Sequence, residues 1–483
     1  MKSTLLYCLF VTLACLNIQS QTTTAAFTTP SFVVVNQIFN LQNISSGPIT
    51  SHYWSFCSNS NTNPPNGTNM GSMGPLSYPV YYRIVKDGPN FYAFVSNNGT
   101  GDLTRYDYGN SLLNTPTAVN LGNLNGAIPQ SIEDIYIEKE NGTWYGIMVG
   151  GISGVVIRLN FGNSITNVPT PTNFGNIGNL DYPQRINAFK ENGNLYILTT
   201  NRDGNTITLL NFGNSISNTP SGVNLGNIGA LSTPDDMSVV FIGNNWYGYI
   251  VNEGDNTLTR LDFGNSLLNL PTGTNLGNTG ALDGPRGISV YTECNALKGL
   301  IVNRYGNDLL KMNFLSGPTG NIITTSYGNL GGLSFPHSIE RFRIADTLYA
   351  MIPNINTNDL IRVKFPPCLS PTFPSSTQQV PPSISYSQPG TYYINYIANE
   401  GLINQSSFCK TITVTKPSDI MDQLLNTDQL VMFPNPSQGN ILVKSGSATR
   451  LVLKNQLGQA IREMELNSDN QFSMQLHDLS PGL

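Results

Sequence analysis

The chain has 483 residues, a net charge of −5 and only 11% charged residues, against roughly a quarter in ordinary soluble proteins. Its 46 glycines and 30 prolines are typical of a turn-rich, all-β protein. An acidic chain without a basic stripe excludes electrostatic capture of nucleic acid or of an anionic membrane, and this length predicts more than one domain.

The N-terminus predicts an export signal. Lys2 precedes an apolar run from Leu5 to Leu16, which is the order of a secretory signal peptide. We therefore assign residues 1–20 to a signal peptide that is cleaved near Ser20. Cys15 leaves a lipoprotein signal as the alternative, although the residues before it fit a lipobox poorly. The apolar run is too short to span a bilayer, and no later segment is apolar enough, so no transmembrane segment is expected.

A repeat of about fifty residues fills the middle of the chain. The gaps between its successive aromatic markers are 52, 53, 51, 51, 51 and 51 residues. Periods in this range are typical of solenoids, propellers and arrays. The markers are Phe56, Tyr108, Phe161, Phe212, Phe263, Phe314 and Phe365.

One repeat predicts four strands. Between Phe212 and Phe263, strands are expected around residues 223–226, 237–241, 246–251 and 258–263, with Gly, Asn and Asp in the turns. Four-stranded units repeated radially are the blades of a β-propeller. The proline-led inner strand, the aromatic second strand and the Asn/Asp/Gly turn resemble NHL-type repeats. The resemblance implies a six-bladed β-propeller at residues 58–367.

Seven markers bound only six repeats, so the first marker strand is left over. The sequence around it, Phe32–Val35 and the strand Tyr53–Phe56, resembles the first half of a polycystic-kidney-disease (PKD) domain, an immunoglobulin-like sandwich. The second half of that family's pattern, with its Tyr-x-x-Pro-Gly-x-Tyr segment, appears only after the last repeat, at Tyr386–Tyr392 and Thr411–Val414. The resemblance implies a sandwich split between residues 30–57 and 368–416.

We therefore expect the propeller to be inserted into a loop of the sandwich. An outer strand near Asn69 would then complete the last blade, and a truncated sandwich beside the propeller is the alternative. The insertion implies that Cys57 and Cys368, which flank it, form a disulfide, while Cys294 and Cys409 have no predicted partner. The aspartates that follow the phenylalanine in many PKD domains are missing, so no metal site is expected.

The C-terminal segment contains three motifs after a linker at residues 417–427. They lie within Val431–Val443, Leu451–Gln459 and Met474–Gly482. In order and spacing they resemble the C-terminal sorting domain of type IX secretion cargo, a small β-sandwich, which we place at residues 428–483. The motif residues are Pro434, Asn435, Pro436, Gly439 and Gly458.

The resemblance of the C-terminal segment implies a Bacteroidetes-type bacterium and the type IX secretion machinery as partner. It also implies a protein that is secreted or attached to the outer-membrane surface. The family continues with an aromatic strand and a basic, apolar end where this chain stops at Leu483. We therefore expect a truncated sorting domain.

The loops that enter the innermost strands predict a ligand-binding face. Each contains a proline, and the residue after that proline differs from repeat to repeat, as expected if the scaffold is fixed and the face is free to specialise. Solvated loop residues without a role are the alternative. The residues after the prolines are Val80, Gln130, Gln184, Asp235, Arg286 and His337. The candidate ligand-binding residues are Gln130, Gln184, Arg185, Asp235, Asp236, Arg286 and His337.

Two functions are compatible with such a face. Asp235, Arg286 and His337 would supply a base and an electrophile, and lactonase-like or streptogramin-lyase-like propellers work at the same place. Only three histidines occur, however, and no nucleophile-elbow or metal-spacing motif is present. The sequence therefore predicts a non-enzymatic binding or adhesion protein for a glycan or protein ligand, with no cofactor. A secreted propeller hydrolase or lyase is the alternative.

Overall fold

The computed structural model describes residues 23–58, 64–152, 154–293, 296–344, 347–366, 375–416, 431–433, 441–444, 450–455, 457–466 and 473–476. Within these ranges the protein is all-β, and no helix is present. In the same ranges, accordingly, no helix has the length and apolar character needed to cross a membrane. The predicted all-β class is confirmed.

The strands are short and follow one another through tight turns. The first are β1 (Phe27–Thr28), β2 (Phe32–Val34), β3 (Gln42–Asn43), β4 (His52–Ser58) and β5 (Asn66–Asn69). The repeats contain β6 (Pro79–Asp87), β7 (Asn90–Asn97), β8 (Asp102–Gly109), β9 (Thr117–Asn120), β10 (Ile132–Glu140), β11 (Thr143–Gly150), β12 (Val155–Gly162), β13 (Thr170–Gly175), β14 (Asn187–Glu191), β15 (Asn194–Asn201), β16 (Thr206–Gly213), β17 (Ser221–Gly226), β18 (Pro234–Ile242), β19 (Asn245–Asn252), β20 (Thr257–Gly264), β21 (Thr272–Asn275), β22 (Pro285–Glu293), β23 (Ala296–Asn303), β24 (Asp308–Phe314), β25 (Ile322–Ser326), β26 (Glu340–Ile344), β27 (Thr347–Asn354) and β28 (Asp359–Lys364). The last are β29 (Ser375–Ser376), β30 (Gly390–Ala398), β31 (Ser406–Thr415), β32 (Val431–Phe433), β33 (Ile441–Lys444), β34 (Arg450–Lys454), β35 (Ala460–Glu465) and β36 (Ser473–Leu476).

The repeat region consists, in its described residues, of six separate four-stranded sheets. Five of them contain four consecutive antiparallel strands, beginning with β6, β10, β14, β18 and β22. The four strands predicted between Phe212 and Phe263 are confirmed as β17 to β20. The marker aromatics Phe161, Phe212 and Phe263 are buried in hydrophobic clusters that join neighbouring sheets, so the repeat period follows from packing.

The sixth sheet combines distant parts of the chain. Its strand order is β26, β27, β28 and β5, and β5 pairs with β28 so that Asn69 lies opposite Ile361. The approach is close at Gly67, where a Cβ atom would lie 2.4 Å from the carbonyl carbon of Leu330. Only glycine fits there, because real side chains do not come that near to backbone atoms.

Hydrogen bonds link the first strands of neighbouring sheets. Asp134 accepts a bond from the backbone N–H of Ile186 at 2.8 Å, and Asp236 accepts one from Ile288 at 3.0 Å. The Ser338 hydroxyl donates to the carbonyl of Val80 at 2.6 Å, and β26 contacts β6. Buried carboxylates thus satisfy N–H groups that have no partner within their own sheet.

Strands from both ends of the chain share a further sheet. Its order is β2, β31, β30, β4 and β29. In its core the rings of Trp54 and Tyr396 lie 4.3 Å apart, and Phe56 is fully buried beside them. The first marker aromatic therefore belongs to this sheet and not to the repeats. Cys409 is disulfide-bonded. Cys368 and the Cys57 side chain lie outside the described residues, so their disulfide stays a prediction.

The C-terminal segment contains two small sheets. β32, β33 and β36 form one, and β34 and β35 form the other. Gly458 lies in the turn between β34 and β35 with a φ of 77°, a left-handed conformation that favours glycine. The other predicted motif residues, Pro434, Asn435, Pro436 and Gly439, lie outside the described residues, as do the signal peptide and the linker.

Candidate functional site

Each sheet of the repeats has one equivalent residue directly after the position at which the chain first pairs with the second strand. In every sheet of the repeats, the residue before it lies opposite the last residue of the second strand, as Pro234 does with Asn252. This fixed register places six side chains at equivalent positions, which we call the inner ring. The inner ring consists of Val80, Glu133, Gln184, Asp235, Arg286 and His337.

The inner ring contains five of the six residues predicted after the prolines, but Glu133 replaces Gln130. Ile132, and not Pro129, lies opposite Gly150 and starts the strand of the second sheet. Gln130 is exposed in the preceding turn. The repeat lengths would have identified Glu133, because the second marker gap is 53 residues and 53 residues also separate Val80 from Glu133.

A second set of equivalent residues follows the end of each second strand. Their backbone N–H groups donate to the residue that precedes the first strand of the same sheet, as Arg202 does to Tyr182 at 3.1 Å. This outer ring consists of Asn98, Gly151, Arg202, Glu253, Arg304 and Ile355. The sequence interpretation missed it. Its members also differ from repeat to repeat, so the argument used for the proline loops would have identified them.

Charged members of the two rings form one network, which we call the mouth site. Asp235 is ion-paired with Arg286 and lies 3.4 Å from the Nε of Arg202. Glu253 forms ion pairs with Arg202, Arg286 and Arg304. The Nη1 atom of Arg304 lies 3.1 Å from its carboxylate and the Nε atom of Arg286 lies 3.5 Å from it. Residues from three successive sheets therefore converge on two buried carboxylates.

Glu133 lies at the other side of the mouth site. Its Oε1 accepts a hydrogen bond from Asn98 at 2.7 Å, and its Oε2 lies 3.7 Å from His337 Nε2. Among the described residues Oε2 has no hydrogen-bond partner. Burial raises the pKa of Glu133 to about 8, against the opposing effect of Arg286. The carboxyl is therefore protonated at neutral pH.

The neighbouring groups titrate differently. Burial and the nearby arginines hold the pKa of His337 well below its ordinary value, so the imidazole is neutral, and its Nε2 accepts from Arg286 at 3.3 Å. Burial raises the pKa of Asp235 to about 7. For Glu253, burial acts in the same direction, but Arg286, Arg202 and Arg304 outweigh it and lower the pKa to about 2. Carboxyls whose pKa values are pushed apart are suited to acid–base chemistry.

An apolar patch completes the mouth site. Val80, Tyr81 and Ile355 form a small buried cluster with Phe335 packed against it. Phe335 has a φ of 52° and Tyr182 a φ of 51°. Left-handed backbone is uncommon for aromatic residues and costs free energy, and such positions cluster at functional sites.

Arg185 and Asp236, the remaining predicted residues, lie in the next layer. The Arg185 Nε is 3.3 Å from Asp236 Oδ1. Asp236 also accepts a hydrogen bond from the backbone N–H of Ile288 in the following sheet. Burial raises the pKa of Asp236 to about 6. Arg185 lines a cavity of about 290 Å³ to which all six first strands contribute. Arg185 therefore lies in the wall of the cavity, and Asp236 is its ion-pair partner. The two residues are separate from the mouth site.

Part of the cavity wall is formed by the connection between β30 and β31. Gly401, Leu402, Ile403 and Gln405 line the cavity, and the Gln405 side chain donates to the carbonyl of Thr292 at 2.8 Å. No cluster of three His, Cys, Asp or Glu side chains suited to a metal ion occurs in the part of the chain that the structure describes.

Residues 431–483 match the family model of the secretion system C-terminal sorting domain. The tail is a sorting domain. It indicates that the protein is cargo of the type IX secretion machinery and is delivered outside the cell, as a secreted or cell-surface protein. No curated protein matches the chain.

Several solved structures resemble the chain in part. A luciferin-regenerating enzyme has 13% sequence identity and a TM-score of 0.43, with 62% of this chain and 95% of that chain covered. A β-xylosidase has 9% identity and a TM-score of 0.35, covering 51% and 95%. A GH43_1 enzyme of Xanthomonas citri in complex with xylotriose has 10% identity and a TM-score of 0.36, covering 54% and 95%.

These comparisons correct the prediction of a non-enzymatic protein. All three similar structures are named as enzymes, so the prediction that the chain is not an enzyme is wrong. The likeness is too distant to assign a reaction, which has to be argued from the residues of the mouth site.

Proposed function

We propose that the chain is a secreted six-bladed propeller hydrolase or lyase whose reaction takes place at the mouth site. The six four-stranded sheets and the contact between β26 and β6 support a closed ring. The sheet shared by residues 32–58 and 375–415 supports the split sandwich. We keep the NHL-like and PKD-like assignments and the predicted domain boundaries as parts of this proposal.

One observation carries the proposed reaction. Glu133 Oε2 and Asp235 Oδ2 are both buried and, among the described residues, without a hydrogen-bond partner. A buried polar atom without a partner costs stability unless something else satisfies it. His337 and Arg286 lie between the two carboxyls and contact one each. A substrate that contacts Glu133 Oε2 and Asp235 Oδ2 would meet a proton donor at the first and a proton acceptor at the second.

The two carboxyls have different roles in this proposal. Glu133 is the general acid, since its raised pKa keeps the proton at neutral pH. Asp235 is the base, since its pKa of about 7 leaves it partly ionised with useful basicity. In hydrolysis Glu133 gives its proton to the leaving oxygen while Asp235 takes one from the attacking water. In a lyase reaction Asp235 takes the proton from carbon instead.

Arg286 and Glu253 support this pair. Arg286 contacts Asp235 and His337 and is placed to stabilise negative charge that develops on the substrate. Glu253 is held by three arginines, and its low pKa makes it a weak base. We therefore assign Glu253 to positioning the arginines.

The test is a turnover screen with the full mature chain on lactones and oligosaccharides. We expect Glu133→Gln and Asp235→Asn each to lower kcat by at least about a hundredfold, the usual scale of general acid–base catalysis. Asp262→Asn, which alters an ion pair with Arg260 on a third strand, is the matched control. Unsaturated products would identify a lyase. Full activity in Glu133→Gln would refute the assignment.

A further inference from the structure

Resting on the proposed function, we infer that the substrate is a carbohydrate that carries a carboxylate, bound by Arg202 and Arg304. A uronic acid unit has this chemistry. It offers a ring with an apolar C–H face, hydroxyl groups at its edge and one negative charge. The mouth site has a counterpart for each of these features.

The first argument is the surplus of positive charge. Arg202, Arg286 and Arg304 surround Glu253, and Asp235 is the second buried carboxylate in contact with them. Glu133 adds no charge at neutral pH because it holds its proton. Asp203 also lies 3.4 Å from Arg202, but it is exposed, so solvent screens this pair.

The positive charge of the three arginines shifts the pKa values of neighbouring groups. The same three arginines disfavour protonation of His337, in addition to burial, and they depress the pKa of Glu253. The three arginines thus favour the neutral form of His337 and the anionic form of Glu253. An anionic group that enters the mouth site is attracted by their positive charge, whereas a neutral sugar is not.

The second argument is the accessibility of two of the arginines. The side chains of Arg202 and Arg304 are 22% and 21% exposed, against 8% for Arg286. The Nε atoms of Arg202 and Arg304 are themselves buried and have no hydrogen-bond partner among the described residues, although Arg202 Nε lies 3.4 Å from Asp235 Oδ1. The exposed part of each guanidinium group can donate a charge-assisted hydrogen bond to a carboxylate.

The third argument is the aromatic surface beside these arginines. The Arg304 guanidinium lies 5.1 Å from the ring centre of Phe335 and 5.7 Å from that of Tyr305, and Arg202 lies 6.0 Å from Tyr182. Tyr305 is 52% exposed. An exposed ring next to cations suits the C–H face of a sugar whose carboxylate points to the guanidinium groups.

The experiment measures binding separately from turnover. The Glu133→Gln variant of the full mature chain is titrated calorimetrically with uronic acid trisaccharides and with their methyl esters, in which a neutral ester replaces each carboxylate. We expect the acids to bind at least about tenfold more tightly than the esters, the scale of one charge-assisted contact. Added salt should weaken binding of the acids and leave that of the esters unchanged.

Two further variants locate the charge recognition. Arg202→Ala and Arg304→Ala should each remove most of the preference for the acid, while Arg260→Ala, whose ion pair with Asp262 lies elsewhere, should keep it. Equal binding of acid and ester, or an unchanged preference in Arg304→Ala, would overturn the inference. Tighter binding of sulfated trisaccharides would overturn it in favour of sulfate.

The outcome is distinguishable from that of the proposed function. Turnover of a neutral sugar that depends on Glu133 would leave the proposed function standing and refute the carboxylate. A preference for the acid that depends on Arg202 and Arg304, combined with undiminished turnover in Glu133→Gln, would support the carboxylate and refute the proposed function.

Discussion

Replacing Glu133 by Gln should make the protein more stable at neutral pH. The native pKa of about 8 lies above the ordinary value of 4.5, so between these values the folded state binds a proton that the unfolded state releases. Stability contributed by this group therefore falls as pH rises through that window. At about 1.4 kcal/mol per pH unit, a rise in pH from 4.5 to 7 lowers the free energy of unfolding by about 3 kcal/mol. Glutamine does not titrate, so the variant does not lose this stability.

The assay is denaturant unfolding of the full mature chain and its Glu133→Gln variant at pH 4.5, 6 and 7.5. We expect nearly equal stabilities at pH 4.5 and a growing advantage of the variant at higher pH. Asp255→Asn, at an exposed turn, should follow the unmodified protein throughout. A difference between variant and unmodified protein that stays constant with pH, or that is largest at pH 4.5, would refute the reasoning. Gain of stability together with loss of activity is the usual sign of a strained catalytic group.

Three other predictions concern catalysis, the sixth sheet and export. The profile of kcat/KM against pH should rise through about 7 as Asp235 ionises and fall above about 8 as Glu133 loses its proton; a profile flat from pH 5 to 10 would contradict both roles. Gly67→Ala should lower Tm by several degrees, because the new Cβ meets the backbone of Leu330, and an unchanged Tm would show that β5 is dispensable. Removal of residues 431–483 should retain the protein inside the outer membrane, as measured by cell fractionation, and unchanged delivery would contradict the role of the sorting domain.

The strand positions of the repeats could be predicted because they depend on local chemistry. Apolar and aromatic runs separated by Gly, Asn and Asp turns recur at a nearly constant period, so one repeat interpreted correctly locates the others. The inner ring followed from the same regularity. The prediction failed only at Gln130, because the second marker gap is 53 residues, against 52 before it and 51 after it, and the strand of that repeat begins at Ile132.

The electrostatics of the mouth site could not be predicted in the same way. Glu253 follows a strand and precedes a Gly-Asp-Asn turn, a context typical of an exposed residue. Its low pKa results from Arg286, Arg202 and Arg304, and the last two are each 51 residues away in sequence. Packing between neighbouring sheets brings one outer-ring position next to the same position of the neighbouring repeat.

The pairing of β5 with β28 has a consequence for the order of folding. Asn69 and Asp359, which are joined by a hydrogen bond in this sheet, are 290 residues apart in sequence. Contacts of such separation form late, since loop closure must precede them. Until then the sixth sheet lacks its outer strand and exposes an unpaired edge. Residues 66–69 and 359–364 must therefore lie on the same side of the membrane before the sixth sheet is complete.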